Sequence, residues 1–233
     1  MKVGRGYFIT GTDTNVGKTW STVALMRHLQ GKGLTVAAMK PVAAGCQWLD
    51  GTWKNDDAML LQAYSSLELD YAQVNPYAFE QPVSPHVACG GANISLPLLN
   101  AAFAELSGLA EVVLVEGAGG WYSPLDNSLS NADLAKTLRL PVILVVGLRL
   151  GCINHALLTR RAIRQSGMVC AGWVAVALDP LMQAMAENLA YLRETIDAPM
   201  LGVLPYQESA DFGLLAEFLD CAIWRDIDLD QNP

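Results

Sequence analysis

Nine consecutive residues near the N-terminus have the composition of a loop that binds nucleotide phosphates. They are Gly11-Thr12-Asp13-Thr14-Asn15-Val16-Gly17-Lys18-Thr19. Glycines let the backbone turn tightly, so that successive N–H groups converge on anionic oxygens, and a helix beginning there adds its positive end. A lysine at the end of such a loop binds the outer phosphates, and the next hydroxyl can coordinate Mg²⁺. The segment therefore predicts phosphoryl chemistry.

The surroundings of this loop support the prediction, although its length is unusual. Gly11 and Gly17 enclose five residues, whereas the common pattern has four. The apolar residues 7–9 predict a buried strand before the loop, and residues 20–30 predict an amphipathic helix that ends at Gly31. The alternative is a glycine-rich turn with an incidental Lys-Thr pair, which leaves this strand, loop and helix order unexplained.

The rest of the chain alternates predicted strands with predicted helices. The strands are 35–39, 112–115, 142–146, 169–176 and 201–204. The helices are 56–64, 96–106 with Ser95 as N-cap, one through Leu138 capped by Ser130 or Asn131, 153–165 and 182–195. Such repeats favour right-handed crossovers. We expect an α/β fold over residues 1–233: a single P-loop NTPase domain, whose mostly parallel central sheet has helices on both faces.

Ligands of such sheets lie beyond the carboxyl ends of the strands, where two further charged residues occur. Strand 35–39 leads into Lys40, and strand 112–115 leads into Glu116, which precedes a loop of small residues. A carboxylate there can join a Mg²⁺ site while bare backbone approaches a substrate. The alternative for Lys40 is a solvated lysine at a strand end.

A second carboxylate is available at the start of the predicted helix 56–64. Asp56 and Asp57 are adjacent there, and either could face the site. The alternative is a favourable interaction with the helix dipole. Spacing alone does not choose between the two.

Composition excludes several functional classes. The 233 residues are 52% hydrophobic and 16% charged, as expected for a sheet covered on both faces. The net charge of −8 argues against nucleic-acid binding. We find no apolar run of membrane-spanning length and no secretion signal, and we expect a cytoplasmic protein. The five cysteines lack metal-ligand spacing and predict small buried residues: Cys46, Cys89, Cys152, Cys170 and Cys221.

Seven segments together resemble the dethiobiotin synthetase family, and the resemblance covers nearly the whole chain. The five-residue interior of the phosphate loop is normal in that family. The segments are Gly11 to Thr19, Lys40-Pro41-Val42-Ala43, Asn55-Asp56-Asp57-Ala58, Val74-Asn75-Pro76-Tyr77, Ser84-Pro85-His86, Val115 to Trp121 and Gly151-Cys152-Ile153-Asn154-His155.

The resemblance implies an ATP-dependent ligase that closes a urea ring on 7,8-diaminononanoate with CO₂ and Mg²⁺. Lys40, Lys18 and Thr14 would be catalytic, and Thr19, Asp57 and Glu116 would bind the metal, which selects Asp57 over Asp56. The implied nucleotide-binding residues are Thr12, Asp13, Thr14, Asn15, Val16, Gly17, Lys18, Thr19, Glu116, Gly119, Val176 and Pro205.

The resemblance also implies a substrate site shared between two copies of the chain. Lys40 and Ala44 would contact the reacting end of the substrate. Gly151, Cys152, Ile153 and Asn154 would hold its distant carboxylate across the interface of a homodimer. Free N–H groups at a helix start suit an anion, but by itself the segment would be interpreted as a helix cap.

Three positions depart from the pattern of the family. Ala44 stands where many relatives have a serine, and Asn15 stands where some have an acidic residue. Val176 stands where relatives commonly have an asparagine that reads the nucleotide base. A valine side chain cannot form that hydrogen bond, so the base preference stays open.

Two rival functions remain at this point. One is a partner-switched ATPase, but such proteins usually carry an extra lysine early in the loop, where this chain has Thr12-Asp13-Thr14. The acidic tail from Asp226 to Pro233 also makes a poor membrane-targeting helix. The other is a sister ligase acting on a different acid or amide, disfavoured by the segment at Gly151 and kept open by Ala44 and Val176.

Overall fold

A six-stranded parallel sheet forms the centre of the computed structural model, which describes residues 5–220. Its strands are β1 (Arg5–Gly11), β2 (Val36–Met39), β7 (Val112–Gly120), β8 (Val142–Leu148), β9 (Cys170–Ala177) and β10 (Met200–Leu204). Their order across the sheet is β10-β9-β8-β1-β7-β2. Nearly all of their residues are buried, because helices cover both faces. The parallel α/β prediction is confirmed.

Nine helices occur within residues 5–220. They are α1 (Lys18–Gly31), α2 (Asp56–Tyr64), α3 (Tyr71–Val74), α4 (Pro85–Ala88), α5 (Leu96–Leu109), α6 (Asn131–Leu138), α7 (Cys152–Gln165), α8 (Met185–Thr195) and α9 (Phe212–Glu217). Ser95 caps α5 as predicted. Ser130, rather than Asn131, caps α6, because its hydroxyl and the Asp133 carboxylate form a capping box.

Two small sheets lie outside the central one and were not predicted. Strands β3 (Val42–Ala44) and β6 (Tyr77–Phe79) pair in parallel, and β4 (Gln47–Leu49) and β5 (Thr52–Lys54) form a hairpin. Strand β7 is also longer than predicted, since it continues through the small residues to Gly120. Glu116 therefore lies inside the strand, paired in register with Ile9, and not at its end.

The cysteine prediction holds for the described residues. Cys46, Cys89, Cys152 and Cys170 are buried and free, and burial raises the pKa of the Cys46 and Cys170 thiols. Cys221 and the acidic tail from Asp226 to Pro233 lie outside the described residues. Within residues 5–220 no helix combines the length and apolar character needed to span a membrane.

A single carboxylate holds the loop that follows β7. Asp126 accepts hydrogen bonds from the backbone N–H groups of Ile94 at 2.8 Å, Ser128 at 2.7 Å and Leu129 at 2.8 Å. Burial would raise the pKa of Asp126, but these N–H donors outweigh it and lower the pKa below 3.8. The carboxylate therefore stabilises the fold above that pH, and its contribution is lost as the pH falls below it.

We expect Asp126→Asn to lower the free energy of unfolding by about 2 kcal/mol at pH 7, because charged acceptors form the stronger hydrogen bonds. Urea denaturation measures the change. Asp179→Asn is the control, since Asp179 accepts one N–H in an exposed turn. Equal stabilities of the two variants at pH 7 would contradict the assignment.

Candidate active site

The phosphate loop joins the carboxyl end of β1 to the start of α1. Asn15 and Gly17 have positive φ angles of 57° and 86°, so the backbone reverses direction within the loop. A Cβ atom at Gly17 would lie 2.8 Å from Cγ1 of Val176, at the end of β9. Position 17 therefore requires glycine for both its conformation and its space.

Lys18 lies at the base of this loop and is buried. Its Nζ donates to the backbone carbonyl of Asp13 at 3.0 Å. Burial, together with the nearby Lys40 ammonium, lowers the pKa of Lys18 to about 8, although Glu116 and Asp57 act in the opposite direction. An anion bound in the loop would favour the charged form of Lys18.

Glu116 is the centre of a buried polar cluster and has no exposed surface. Its Oε1 accepts from Thr19 Oγ1 at 2.8 Å and from Lys40 Nζ at 2.6 Å. Its Oε2 accepts from Thr22 Oγ1 at 2.8 Å. These contacts are possible because β1, β7 and β2 are neighbours in the sheet, so their residues meet above one edge.

Lys40 bridges the two carboxylates, since its Nζ also donates to Asp57 Oδ2 at 2.9 Å. Burial would lower the pKa of Lys40, but Glu116 and Asp57 together raise it above its ordinary value. Burial raises the pKa of Asp57, and Lys40 more than offsets this, so the pKa is lowered. Asp56 is exposed, and Asp57 is the neighbour that faces the cluster.

A cavity of about 840 Å³ opens over these groups. Many of the predicted site residues line it: Thr14, Asn15, Gly17, Lys18, Thr19, Lys40, Ala44, Asp57, Gly119, Val176 and Pro205. The remaining ones do not line it: Thr12, Asp13, Val16, Glu116, Gly151, Cys152, Ile153 and Asn154. Glu116 lies behind Lys40 and Thr19, which it contacts.

The cavity has two ends on opposite sides of β1. One end lies over β7 and β2 and holds Lys40, Asp57 and Ala44. The other lies over β9 and β10 and is formed by Val176, Ala177, Leu178, Leu204, Pro205, Tyr206 and Gln207. A triphosphate held at Lys18 would direct its terminal phosphate toward Lys40, and its nucleoside would therefore occupy the other end.

Comparisons with known proteins identify the family. A family model described as "AAA domain" matches residues 5–212. The ATP-dependent dethiobiotin synthetase BioD of Xanthomonas oryzae pv. oryzae (strain PXO99A) is 46% identical over 215 residues, 91% of this chain and 96% of that protein. The chain belongs to the dethiobiotin synthetase family. The synthetase of Nitrosospira multiformis is 46% identical over 95% of this chain and 97% of its own length. The synthetase of Aromatoleum aromaticum is 48% identical over 89% of this chain and 93% of its own length.

Solved structures share the fold of this dethiobiotin synthetase family member. The cell division protein FtsY of Thermotoga maritima aligns with a TM-score of 0.53 at 15% identity, covering 92% of this chain and 68% of that one. The signal recognition particle 54 kDa protein of Aeropyrum pernix aligns with a TM-score of 0.52 at 13% identity, and the alignment covers 91% of this chain and 43% of that one. At these identities the likeness concerns the fold alone.

The oxygen ligands predicted for Mg²⁺ in this synthetase family member lie close together. Thr19 and Lys40 both contact Glu116, and Lys40 also contacts Asp57. No group of three or more His, Cys, Asp or Glu side chains suited to a metal occurs within residues 5–220. Two carboxylates and a hydroxyl fit Mg²⁺, which takes few protein ligands and completes its shell with waters and phosphates.

The predicted carboxylate anchor lies at the N-terminus of α7, outside the cavity. Gly151 precedes the helix with a φ of 92°, and no side chain within residues 5–220 caps it. Cys152 is buried, whereas Asn154 is exposed. Leu150 beside it is 96% exposed and Tyr122 is 61% exposed. Within one chain the structure does not bring this segment to Lys40.

Three residues of the site region were not predicted. Thr22 contacts Glu116. It lies one helical turn after Lys18, so the position of the phosphate loop in the sequence could have indicated that it faces the site. Asn131 is buried and donates to the carbonyls of Ala118 at 2.7 Å and Gly120 at 2.8 Å, so it shapes the end of β7. Arg149 pairs with Asp13, 136 positions away, and no local pattern indicates such a pair.

Proposed function

We propose that this protein is an ATP-dependent dethiobiotin synthetase. It would convert 7,8-diaminononanoate (7,8-diaminopelargonate), CO₂ and ATP to dethiobiotin, ADP and phosphate. The observation that carries the proposal is that one cavity joins Lys18 and the phosphate loop to the cluster of Lys40, Asp57 and Glu116. Membership of the synthetase family gives the substrate.

The proposed chemistry needs no nucleophile from the protein. One amine of the diamine captures CO₂ as a carbamate, and a carbamate oxygen takes the terminal phosphoryl group of ATP. The second amine then attacks the activated carbon and expels phosphate, which closes the ring. The protein's task is to hold the reacting groups together and to stabilise the negative charge that develops between them.

The two buried lysines would divide this task. Lys18 and the loop N–H groups would hold the phosphates, with Thr14 on the side facing the substrate. Lys40 would lie beside the carbamate and the transferring phosphate, since its ammonium lines the cavity next to Asp57. Thr19, Asp57 and Glu116 would hold or support Mg²⁺, which supplies further charge neutralisation on the phosphates.

The distant carboxylate of the diamine would bind to Gly151, Cys152, Ile153 and Asn154 of a second copy. The N-terminus of α7, which no side chain within residues 5–220 caps, and the exposed Leu150 beside it support this homodimer. Sedimentation velocity tests it, and a monomer in the presence of the diamine would contradict it. As an enzyme acting on small metabolites, the protein would work in the cytoplasm.

We expect weak discrimination among nucleotide bases. The Val176 side chain offers no hydrogen bond, and the Gln207 side-chain oxygen is already occupied by the N–H of Asp211 at 2.9 Å. Val176→Asn should therefore raise the preference for one base by about fivefold to tenfold, the value of one neutral hydrogen bond. The measurement is kcat/KM with ATP, GTP and CTP. A wild-type preference for ATP of a thousandfold would contradict the expectation.

Incubation of the purified protein with MgATP, bicarbonate and candidate substrates tests the proposed function. We expect phosphate release that depends on the diamine, with dethiobiotin identified by mass spectrometry. Phosphate release with another acid or amide, but not with the diamine, would indicate the sister ligase. Release that requires a protein partner would indicate the switch ATPase.

A further inference from the structure

Asp13 places a carboxylate within the loop that would receive a triphosphate. Its Oδ1 accepts the backbone N–H of Thr14 at 2.7 Å, and its own carbonyl accepts from Lys18 Nζ at 3.0 Å. The orientation of Asp13 therefore fixes both a loop amide and the lysine. The same carboxylate would repel a phosphate held by that loop, unless a cation balances its charge.

Arg149 supplies such a cation from a different part of the sheet. It follows β8, the neighbour of β1, and its guanidinium donates to Asp13 Oδ2. The backbone carbonyl of Arg149 accepts the N–H of Cys152 at 2.9 Å, which ties the same residue to the first turn of α7. The hydrogen bond from the Thr14 N–H lowers the pKa of Asp13 most, and Arg149 lowers it by a smaller amount. Together they outweigh the effect of partial burial, so the carboxylate is charged at neutral pH.

A contribution to folding stability does not account for the ion pair between Arg149 and Asp13. The Arg149 and Asp13 side chains are 42% and 46% exposed, and ion pairs this exposed contribute little to folding. Arg149 does not line the cavity, and its side chain contacts the phosphate loop at Asp13. We propose that Arg149 is a positioning residue, which holds Asp13 in place and cancels its charge so that the phosphate loop accepts a nucleotide; this rests on the proposed function.

A double-mutant cycle on MgADP binding tests the inference. We expect Arg149→Met to weaken binding about tenfold, because it leaves the Asp13 charge unbalanced. Asp13→Asn keeps an acceptor for Thr14 and should have a smaller effect. The double variant should bind within about threefold of Asp13→Asn, since no charge then remains to be balanced. In steady-state assays Arg149→Met should raise the KM for ATP and leave kcat within about threefold.

Arg160→Met is the matched control. Arg160 lies on α7 and pairs with Asp197, and neither residue lines the cavity. It should leave MgADP binding unchanged, and Arg149→Lys should retain most of the wild-type affinity. Unaltered binding by Arg149→Met overturns the inference. So do additive effects in the double variant, or a loss of kcat that Asp13→Asn does not rescue, since either outcome means that Arg149 acts other than through Asp13.

Binding of MgADP does not depend on the diamine, so the two proposals fail separately. A wild-type protein that binds nucleotide but makes no dethiobiotin overturns the proposed function alone. The comparison of variants would still decide the role of Arg149.

Discussion

Replacement of Lys40 by glutamine should lower turnover by about 100-fold to 1000-fold, the usual cost of removing one preorganised charge from a transition state. Nucleotide affinity should change much less, because Lys18 and the loop remain. The expectation follows from the position of the Lys40 ammonium, held 2.6 Å from Glu116 and 2.9 Å from Asp57 beside the cavity. Steady-state kinetics at saturating diamine and direct titration with MgADP measure the two quantities separately.

Lys40 is part of a buried charge cluster, so its replacement needs a test of folding. The thermal unfolding midpoint of Lys40→Gln establishes that the variant is folded at the assay temperature. Lys136→Gln, on the exposed side of α6, controls for the loss of a lysine elsewhere. Unchanged turnover in a folded Lys40→Gln variant would remove Lys40 from the mechanism.

Replacement of Lys18 by methionine should have the opposite pattern, with nucleotide binding weakened about 100-fold. Lys18 is buried, and two charges attract each other more strongly in a buried site than at the solvated surface. Loss of its ammonium should therefore weaken phosphate binding strongly. The pKa of about 8 means that the lysine is mostly charged at pH 7 before any ligand binds. Isothermal titration with MgADP at pH 7 measures the loss.

A comparison of the two variants tests the proposed roles of Lys18 and Lys40 more strictly than either variant alone. If Lys18 grips the phosphates and Lys40 acts on the reacting groups, Lys18→Met raises the dissociation constant of MgADP and Lys40→Gln does not. Equal losses of MgADP affinity in both variants would show that the lysines act as one phosphate site, and the proposed division of roles would be wrong.

Much of this fold could be predicted because local patterns specify it. The phosphate loop follows from its glycines, of which Gly17 has the positive φ that favours glycine, and the parallel orientation of the strands follows from their alternation with helices. The end of β7 was predicted as a loop, since small residues are typical of loops. In the structure Gly120 pairs with Gly11 of β1, and this pairing continues the strand.

The β4–β5 hairpin was missed although a signal exists. Asp50 and Gly51 both have positive φ, as a two-residue hairpin turn requires, and an Asp-Gly pair between two tryptophans indicates it. Contacts across long sequence separations had no such signal. The Arg149 contact with Asp13 depends on the order of β8 and β1 in the sheet, which only the folded chain defines.

The close approach of Gly17 to Val176 has a consequence for redesign. The side chain at position 176 lies beside the backbone that turns into α1, because a Cβ atom at position 17 would lie only 2.8 Å from it. A bulkier residue introduced at 176 to change which nucleotide is preferred would displace that turn. Base choice and the shape of the phosphate loop are thus coupled through position 176, so a design that changes the base preference must keep this side chain no larger than valine while position 17 stays glycine.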